Sequence, residues 1–503
     1  MKIFRISYII ILVTILLTSC GSVKAVLPQH INTITTTIVA KKEVLTELEL
    51  QDWPYADIFT DTIPGISLVK TYEFLKDKKA SPIIVGIIDS GVDIEHKDLN
   101  QFIWKNENEI ANNQMDDDHN GFVDDIHGWN FLGSNQGNIY HTQLEITRMI
   151  KKYEAKTLDE IIETSQEDYD LFQDQREEYN QTSISVNMAI ESLIQKLNTT
   201  PNDDKLKDAL AYYENLQKFH YNLDINPRKI VGDDPNDLLD TGYGNADVTG
   251  FKDKGLHGTH VSGIVAAVIN KSIGLGSNLL KIMPIRAIPD GDEYDKDVAL
   301  AIRYAVDNGA KVINMSFGKA YSAHPNWVYE AIEYAKKNDV LLIMGAGNNG
   351  KNIDTTANFP NDTKNSDVEF TDNMICVGAT THNFNISLVS VFSNYGKKNV
   401  DIFAPGSKIY STIPDNEYAF QDGTSMSAPM VSGVAALIRS YYPKLSAIQV
   451  KRIIMDSGIS VDFEVNVGRF GNKKLLNELS VTGKILNAYN AILMADNLSI
   501  ANK

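Results

Sequence analysis

Three short strings carry side chains that can do chemistry together. Asp89 closes the apolar run PIIVGIID (82–89), His257 stands in GLHGTHVSG, and Ser425 stands in DGTSMSAPMVSG ahead of a long apolar helical pattern. A serine hydroxyl is a poor nucleophile until a base takes its proton, and an imidazole serves as that base when a buried carboxylate fixes its tautomer. Alone, each residue has a bland reading: Asp89 as an acidic turn, His257 as a surface or packed histidine, Ser425 as a helix N-cap. Taken together they offer a carboxylate, an imidazole and a hydroxyl, the set needed for nucleophilic acyl transfer. The crowd of small residues from Gly423 to Pro429 then has a purpose, because it clears space around the Ser425 hydroxyl at a helix start.

Positioning such a set requires a rigid frame. From Pro82 onward, strand-like runs alternate with helical periods. The runs at 82–89, 281–288, 311–317, 340–347 and 374–380 read as buried parallel strands, and 260–270, 297–310 and 326–338 read as helices. This alternation predicts an α/β fold with right-handed crossovers, whose sites gather at the carboxyl ends of the strands. Asp89 ends the first strand, where such a site would lie.

The strings DSGVD, HGTHVSG and GTSMSAPMVSG, in the order Asp, His, Ser on an α/β pattern, resemble those of the subtilisin-like serine peptidase family. The resemblance spans roughly residues 50 to 460, apart from one excursion, and adds the tail TGKILNAYNAI (482–492). It implies a three-layer sandwich with a mainly parallel sheet, and a serine endopeptidase working through an acyl-enzyme on protein or peptide substrates. Ser425 would attack, His257 would transfer the proton and Asp89 would orient His257. MGAGNNG (344–350) matches the family's oxyanion-hole motif, with Asn348 as the side-chain donor and the Ser425 N–H as the second; the alternative is a turn asparagine. NMSFG (314–318) looks like the family's edge segment, where Ser316, Phe317 and Gly318 pair with extended substrate backbone. Ala346 and Gly347 would form the facing wall, leaving room for a sizeable apolar side chain. Rival readings keep the scaffold but make the protein a non-catalytic peptide-binding module, or turn the acyl-enzyme to ligation. Asp89 and His257 are 168 positions apart, far more than the few tens usual in the family.

The N-terminus reads differently. Lys2 and Arg5 precede the apolar run YIIILVTILL, which ends in LTSCGS. A basic start, a short apolar stretch and small residues predict a secretory signal over 1–19. Its ending resembles a bacterial lipobox, which implies lipidation of Cys20 and a lipid-anchored protein of the bacterial cell envelope; an ordinary signal peptide is the alternative. Residues 20–50 then form a tether and 51–496 the peptidase domain. Cys376, the one other cysteine, lies in an apolar run and reads as a buried packing residue. A formal charge of −18 disfavours nucleic-acid partners. The hydrophobic fraction of 43% and mean hydropathy of −0.21 fit a globular protein with a full core.

Two segments interrupt the α/β pattern. In MDDDHNGFVDD, Asp116, Asp118, Asn120, Phe122 (by its carbonyl) and Asp124 imitate the first half of an EF-hand loop, with Gly121 at the turn. Asp125 is a substitute for Asp124, and the terminal Glu is replaced by His127. Structural Ca²⁺ or a solvated acidic turn are the two readings. The excursion over 141–222 carries helical periods. Thr157–Glu160 has capping-box spacing before Leu158, Ile161, Ile162, Tyr169 and Phe172; Val186, Ile190, Leu193, Ile194 and Leu197 repeat the stripe; Thr200–Pro201 marks another start. A hairpin on the cleft rim that screens substrates is expected, with partner docking and surface decoration as the alternatives.

Overall fold

The structure, a computed structural model, describes residues 41, 43–157, 160, 165–270, 279–364, 368–468 and 471–501. The signal segment, Cys20 and nearly all of the tether lie outside these, as do Leu158, Asp159, Ile161 and Ile162. Among the described residues, no helix is long and apolar enough to cross a membrane.

The branched and aliphatic runs form strands buried on both faces, as parallel sheets require. The main strands are β1 (Ile83–Asp89), β2 (Trp129–Asn130), β3 (Leu280–Arg286), β4 (Val312–Met315), β5 (Leu341–Gly345), β6 (Met374–Thr380) and β7 (Ile402–Pro405). A hairpin, β8 (Ile409–Ile413) and β9 (Glu417–Gln421), follows, and β10 (Ile459–Ser460) and β11 (Lys484–Ile485) complete the set. One nine-stranded sheet has the order β10-β11-β7-β6-β5-β4-β1-β3-β2. All its pairings are parallel except β10 with β11. Cys376 sits buried in β6, as its apolar run predicts, and burial pushes its thiol pKa well up.

Helices cover both faces, giving the expected α/β sandwich. Of the helices in chain order, α1 (Leu68–Leu75), α5 (Leu256–Asn270), α8 (Thr424–Tyr441), α9 (Ala447–Ser457) and α10 (Ala488–Ala501) share one core with the sheet; α6 (Asp295–Asp307) and α7 (Pro325–Lys337) lie in the other. Helix α8 is apolar on every side because it is enclosed on every side. Burying each Val, Leu or Ile there contributes roughly 1.5–3 kcal/mol relative to exposure. Gly433 brings α8 against α5: a Cβ on it would lie 2.6 Å from Val268 Cβ.

The excursion contains α2 (Glu145–Glu154), α3 (Gln166–Thr199) and α4 (Asp204–Asn215), the last running into a π-type turn, Leu216–His220. Its ends meet, for the Leu144 N–H donates to the His220 carbonyl at 3.1 Å. Thr157 and Glu160 make the expected reciprocal cap. Two expectations change. Val186 to Leu197 belong to a single 34-residue helix that already includes Tyr169 and Phe172. Thr200 donates back to the Lys196 carbonyl, and it is Asp203 that caps α4 by accepting from the Leu206 N–H. Phe172, Val186 and Leu193 are buried, whereas Tyr169 and Ile194 are exposed, so the apolar face is narrower than the spacing implies.

Candidate active site

The ends of β1, β4 and β5 lie level, with Ile88 opposite Met315 and Met315 opposite Met344. Asp89, Ser316 and the 346–348 turn therefore emerge side by side at the carboxyl edge of the sheet.

Asp89 is 1% exposed, and its Oδ1 lies 2.7 Å from His257 Nδ1. The same oxygen accepts the Ser90 N–H at 2.7 Å. His257 is in the first turn of α5, and Gly258 makes that approach possible: a Cβ there would stand 2.2 Å from the Gly91 carbonyl oxygen and 3.1 Å from Asp89 Oδ1. Burial opposes charge on the imidazole, but the Asp89 carboxylate outweighs it and holds the His257 pKa above its ordinary value. Behind Asp89, the buried Arg286 guanidinium donates to the Ser90 carbonyl at 2.9 Å and to Asn130 Oδ1 at 3.0 Å. Burial lowers its pKa to about 10. The signal for Arg286 was present as a charged residue within a buried apolar run.

Ser425 is the second residue of α8, just after Gly423, whose φ of 157° and ψ of 157° L side chains seldom adopt. The Ser425 hydroxyl donates to the Ser316 carbonyl at 3.1 Å rather than to His257. The Ser316 hydroxyl donates in return to the Ser425 carbonyl at 2.8 Å. That carbonyl is free for it because its partner four residues on would be Pro429, which has no N–H. A buried chain continues inward, from Ser316 Oγ to Asn314 and on to Ser432, each step 2.9 Å.

Asn348 is fixed by its oxygen, which accepts the Thr424 N–H at 2.9 Å and the Thr424 hydroxyl at 3.1 Å. Its amide nitrogen thereby faces the start of α8. A Cβ on Gly423 would fall 3.4 Å from Asn348 Nδ2 and 3.6 Å from the Ser425 nitrogen. Two N–H donors thus converge on space that a side chain at 423 would fill.

Beside Ser425 is a pocket of about 330 Å³ lined by Ser316, Phe317 and Gly318 on one wall and Gly345, Gly347 and Asn348 on another. Ala346 is not part of it. Strand alternation turns this side chain into the core, and its carbonyl accepts the Asn394 amide at 2.9 Å. Asn358, Asn394 and Thr356 also contribute, so the lining is more polar than small residues alone predict.

The acidic loop departs further from expectation. Asp116 turns inward on its own loop, accepting the Asn120 and Gly121 N–H groups at 3.0 and 2.9 Å. Asp124 accepts from the Asn113 and Gln114 N–H groups at 3.1 and 3.0 Å. Phe122 packs its ring edge-on against Trp129 and Tyr304. Asn120 donates its amide to Asp118 and Asp125. The carboxylates brought together are Glu109, Asp118 and Asp125, with ligand atoms all within 4.8 Å of one another. Burial raises Asp125 to about 6, against the opposing hydrogen bonds of Tyr304, Asn106 and Asn120. Glu109 lies upstream of the EF-hand-like spacing and is invisible to it.

Comparison with known proteins gives the family. The family model "Subtilase family" matches residues 80–480. The chain is 37% identical over 221 residues to a thermophilic serine proteinase of Bacillus sp. (strain AK1), covering 43% of this chain and 48% of that protein. It is 40% identical over 187 residues to thermitase of Thermoactinomyces vulgaris (37% and 61% covered) and 35% identical over 199 residues to subtilisin DY of Bacillus licheniformis (39% and 67%). The matches to the first and second of these span about half and three fifths of the relatives' lengths.

Proposed function

The chain belongs to the subtilase family, and on that premise we propose that it is a serine endopeptidase that cleaves peptide bonds through an acyl-enzyme. The observation that carries this is the 2.7 Å contact between the buried Asp89 and His257, beside the neighbouring strand end where the Ser425 hydroxyl bonds the Ser316 carbonyl. Asp89 holds the Nδ1 proton of His257, leaving Nε2 as the base. A turn about the Ser425 Cα–Cβ bond takes its hydroxyl from the Ser316 carbonyl toward that base; such contacts tighten when substrate binds. As Ser425 attacks, the carbonyl oxygen gains charge, and the Asn348 amide and Ser425 N–H stabilise it. His257 then hands its proton to the departing amine, and water repeats the sequence to release the acid. The Ser316–Gly318 segment receives the substrate backbone by strand addition.

Glu109, Asp118 and Asp125 are an all-oxygen, carboxylate-rich set that fits Ca²⁺. A bound ion would offset their mutual repulsion and cross-link the 109–125 loop. The domain plan is a signal over 1–19, lipidation of Cys20, a tether to 50, and a peptidase domain over 51–496 carrying the 141–222 insertion. On this plan the enzyme is held at the bacterial envelope and acts on protein or peptide substrates.

A fluorophosphonate probe followed by peptide mapping tests the central reading. Ser425 is the expected labelled residue, and Ser425→Ala abolishes labelling and lowers kcat by more than about 10³-fold. Labelling elsewhere, or full cleavage by the variant, overturns it.

A further inference from the structure

Lys319 follows the Ser316–Gly318 segment directly, yet its side chain is only 2% exposed. Its ammonium donates to Glu145 Oε2 at 2.8 Å and to the Glu293 carbonyl at 2.8 Å, and Asp295 Oδ1 lies 2.9 Å away. Glu293 belongs to the loop that follows β3, and Asp295 opens α6. Glu145 opens α2 and is the one carboxylate among these partners that comes from the insertion. The same carboxylate oxygen is also held by Arg148. Arg148 donates to it at 2.5 Å and binds the carbonyls of Gln143, Asp292 and Glu293 at 2.7, 2.8 and 3.0 Å. The Arg148 guanidinium lies over the Tyr294 ring at 4.1 Å. The Glu145 N–H donates to Asp292 Oδ2 at 2.7 Å. Burial would raise the Glu145 carboxyl, but Arg148 and Lys319 outweigh it and hold it at about 2.

The other end of this connection is the pocket. The Lys319 N–H and carbonyl both pair with Phe359 at 2.9 Å. Lys319 therefore ties the 316–318 wall to the 356–358 wall, and both walls line the pocket beside Ser425. A buried ammonium stays where its counter-charges are; removing Glu145 leaves Asp295 as its one ion-pair partner among the described residues, and the ammonium and the backbone carrying it shift toward that remaining charge.

We propose that Glu145 is a positioning residue for substrate binding: from the insertion, it holds Lys319 and so sets the Ser316–Gly318 segment against which the substrate backbone lies. The proposal rests on the peptidase reading above. It also changes the role expected of the insertion, which here braces the cleft from its base in addition to any screening by its helices.

The test uses the full chain, with Glu145→Gln and the charge-keeping Glu145→Asp, and two chromogenic peptides. One peptide has a single residue before the scissile bond and the other has four, enough to pair along 316–318. Glu145→Gln is expected to raise KM for the long peptide on the order of 10- to 100-fold, the scale of a displaced binding element. Its kcat, the short-peptide rate and fluorophosphonate labelling of Ser425 stay near wild type, and Glu145→Asp loses less. If Glu145→Gln does not melt cooperatively, the double variant Glu145→Gln/Lys319→Met, which leaves no stranded ammonium, is read by the same criterion. Equal losses on both peptides, or no loss on either, with Ser425 still labelled, overturn the proposal alone. Absence of labelling in the wild-type protein is a failure of the peptidase reading instead.

Discussion

Helices α8 and α3 show two ways of holding a protein together. In α8, which carries Ser425, almost every side chain is buried, and its place is set by backbone contact at glycines. The missing side chains of Gly345, Gly406 and Gly423 leave room for the first turn of α8, and that of Gly433 leaves room for Val268 of α5. Helix α3 is nearly twice as long, and many of its apolar residues, including Leu171, Ile184 and Met188, face solvent. The insertion is fixed at its base by charges instead: Glu145 and Arg148 as above, and Asp290, which accepts from Asn215 at 2.9 Å and sits 2.9 Å from His141 Nδ1. Close backbone contact gives sub-ångström placement and little tolerance, as a triad requires. Charges at a base hold a long module while leaving most of its surface free to vary.

That contrast can be broken or sharpened by experiment. The largest effect is expected at Asn348. Asn348→Ala removes one of the two converging donors and should lower kcat about 10²–10³-fold with KM little changed; the magnitude is the one known for this kind of asparagine in subtilisin itself. Next comes pH. In the proposed mechanism His257 must be neutral to accept the Ser425 proton, and Asp89 raises its pKa. Activity should therefore show an acid limb whose midpoint lies above the ordinary histidine value of about 6.5, falling about tenfold per pH unit below that midpoint. Asp89→Asn should move that limb to lower pH in kcat/KM profiles, besides lowering the rate. A smaller effect is expected from Gly258→Ala, which pushes a methyl to within 2.2 Å of the Gly91 oxygen. Denaturant melts should show a loss of about 1–3 kcal/mol, the cost of overpacking. Smallest is Met188→Ala on α3: at 64% exposure it should change stability by less than about 0.5 kcal/mol and leave peptide cleavage unaltered. A destabilisation at Met188 as large as that at Gly258 would erase the distinction.

Much of the sheet was legible because its runs end abruptly in glycine or polar residues. The 374–380 run matches β6 residue for residue, and the helix periods are displaced by only a few positions from α5, α6 and α7. The four-residue β7 and the β8–β9 hairpin gave no such signal, being short and, in β7, ending in proline. Asp89, His257, Ser425 and Asn348 stood out because each sits beside glycines in a distinctive local string. Ala346 misled, since local smallness says nothing about which way a side chain alternates at a strand end. Glu145 and Lys319 are 174 positions apart, and neither has a local pattern. Their meeting is a product of topology, as is the convergence of Glu109 with Asp118 and Asp125.

The borders of the sheet carry a consequence for how molecules behave in a crowd. A strand at a sheet edge offers unpaired N–H and C=O groups on which a second chain can grow. Here the interior strands run to seven residues, but the two border strands, β2 and β10, have two residues each, and β10 runs antiparallel to its neighbour. A stray strand would find two hydrogen-bonding stubs in place of a template, too little to seed a fibre. The long apolar strands β1, β3 and β6 are thereby sealed inside a sheet that ends almost as soon as it reaches its own rim.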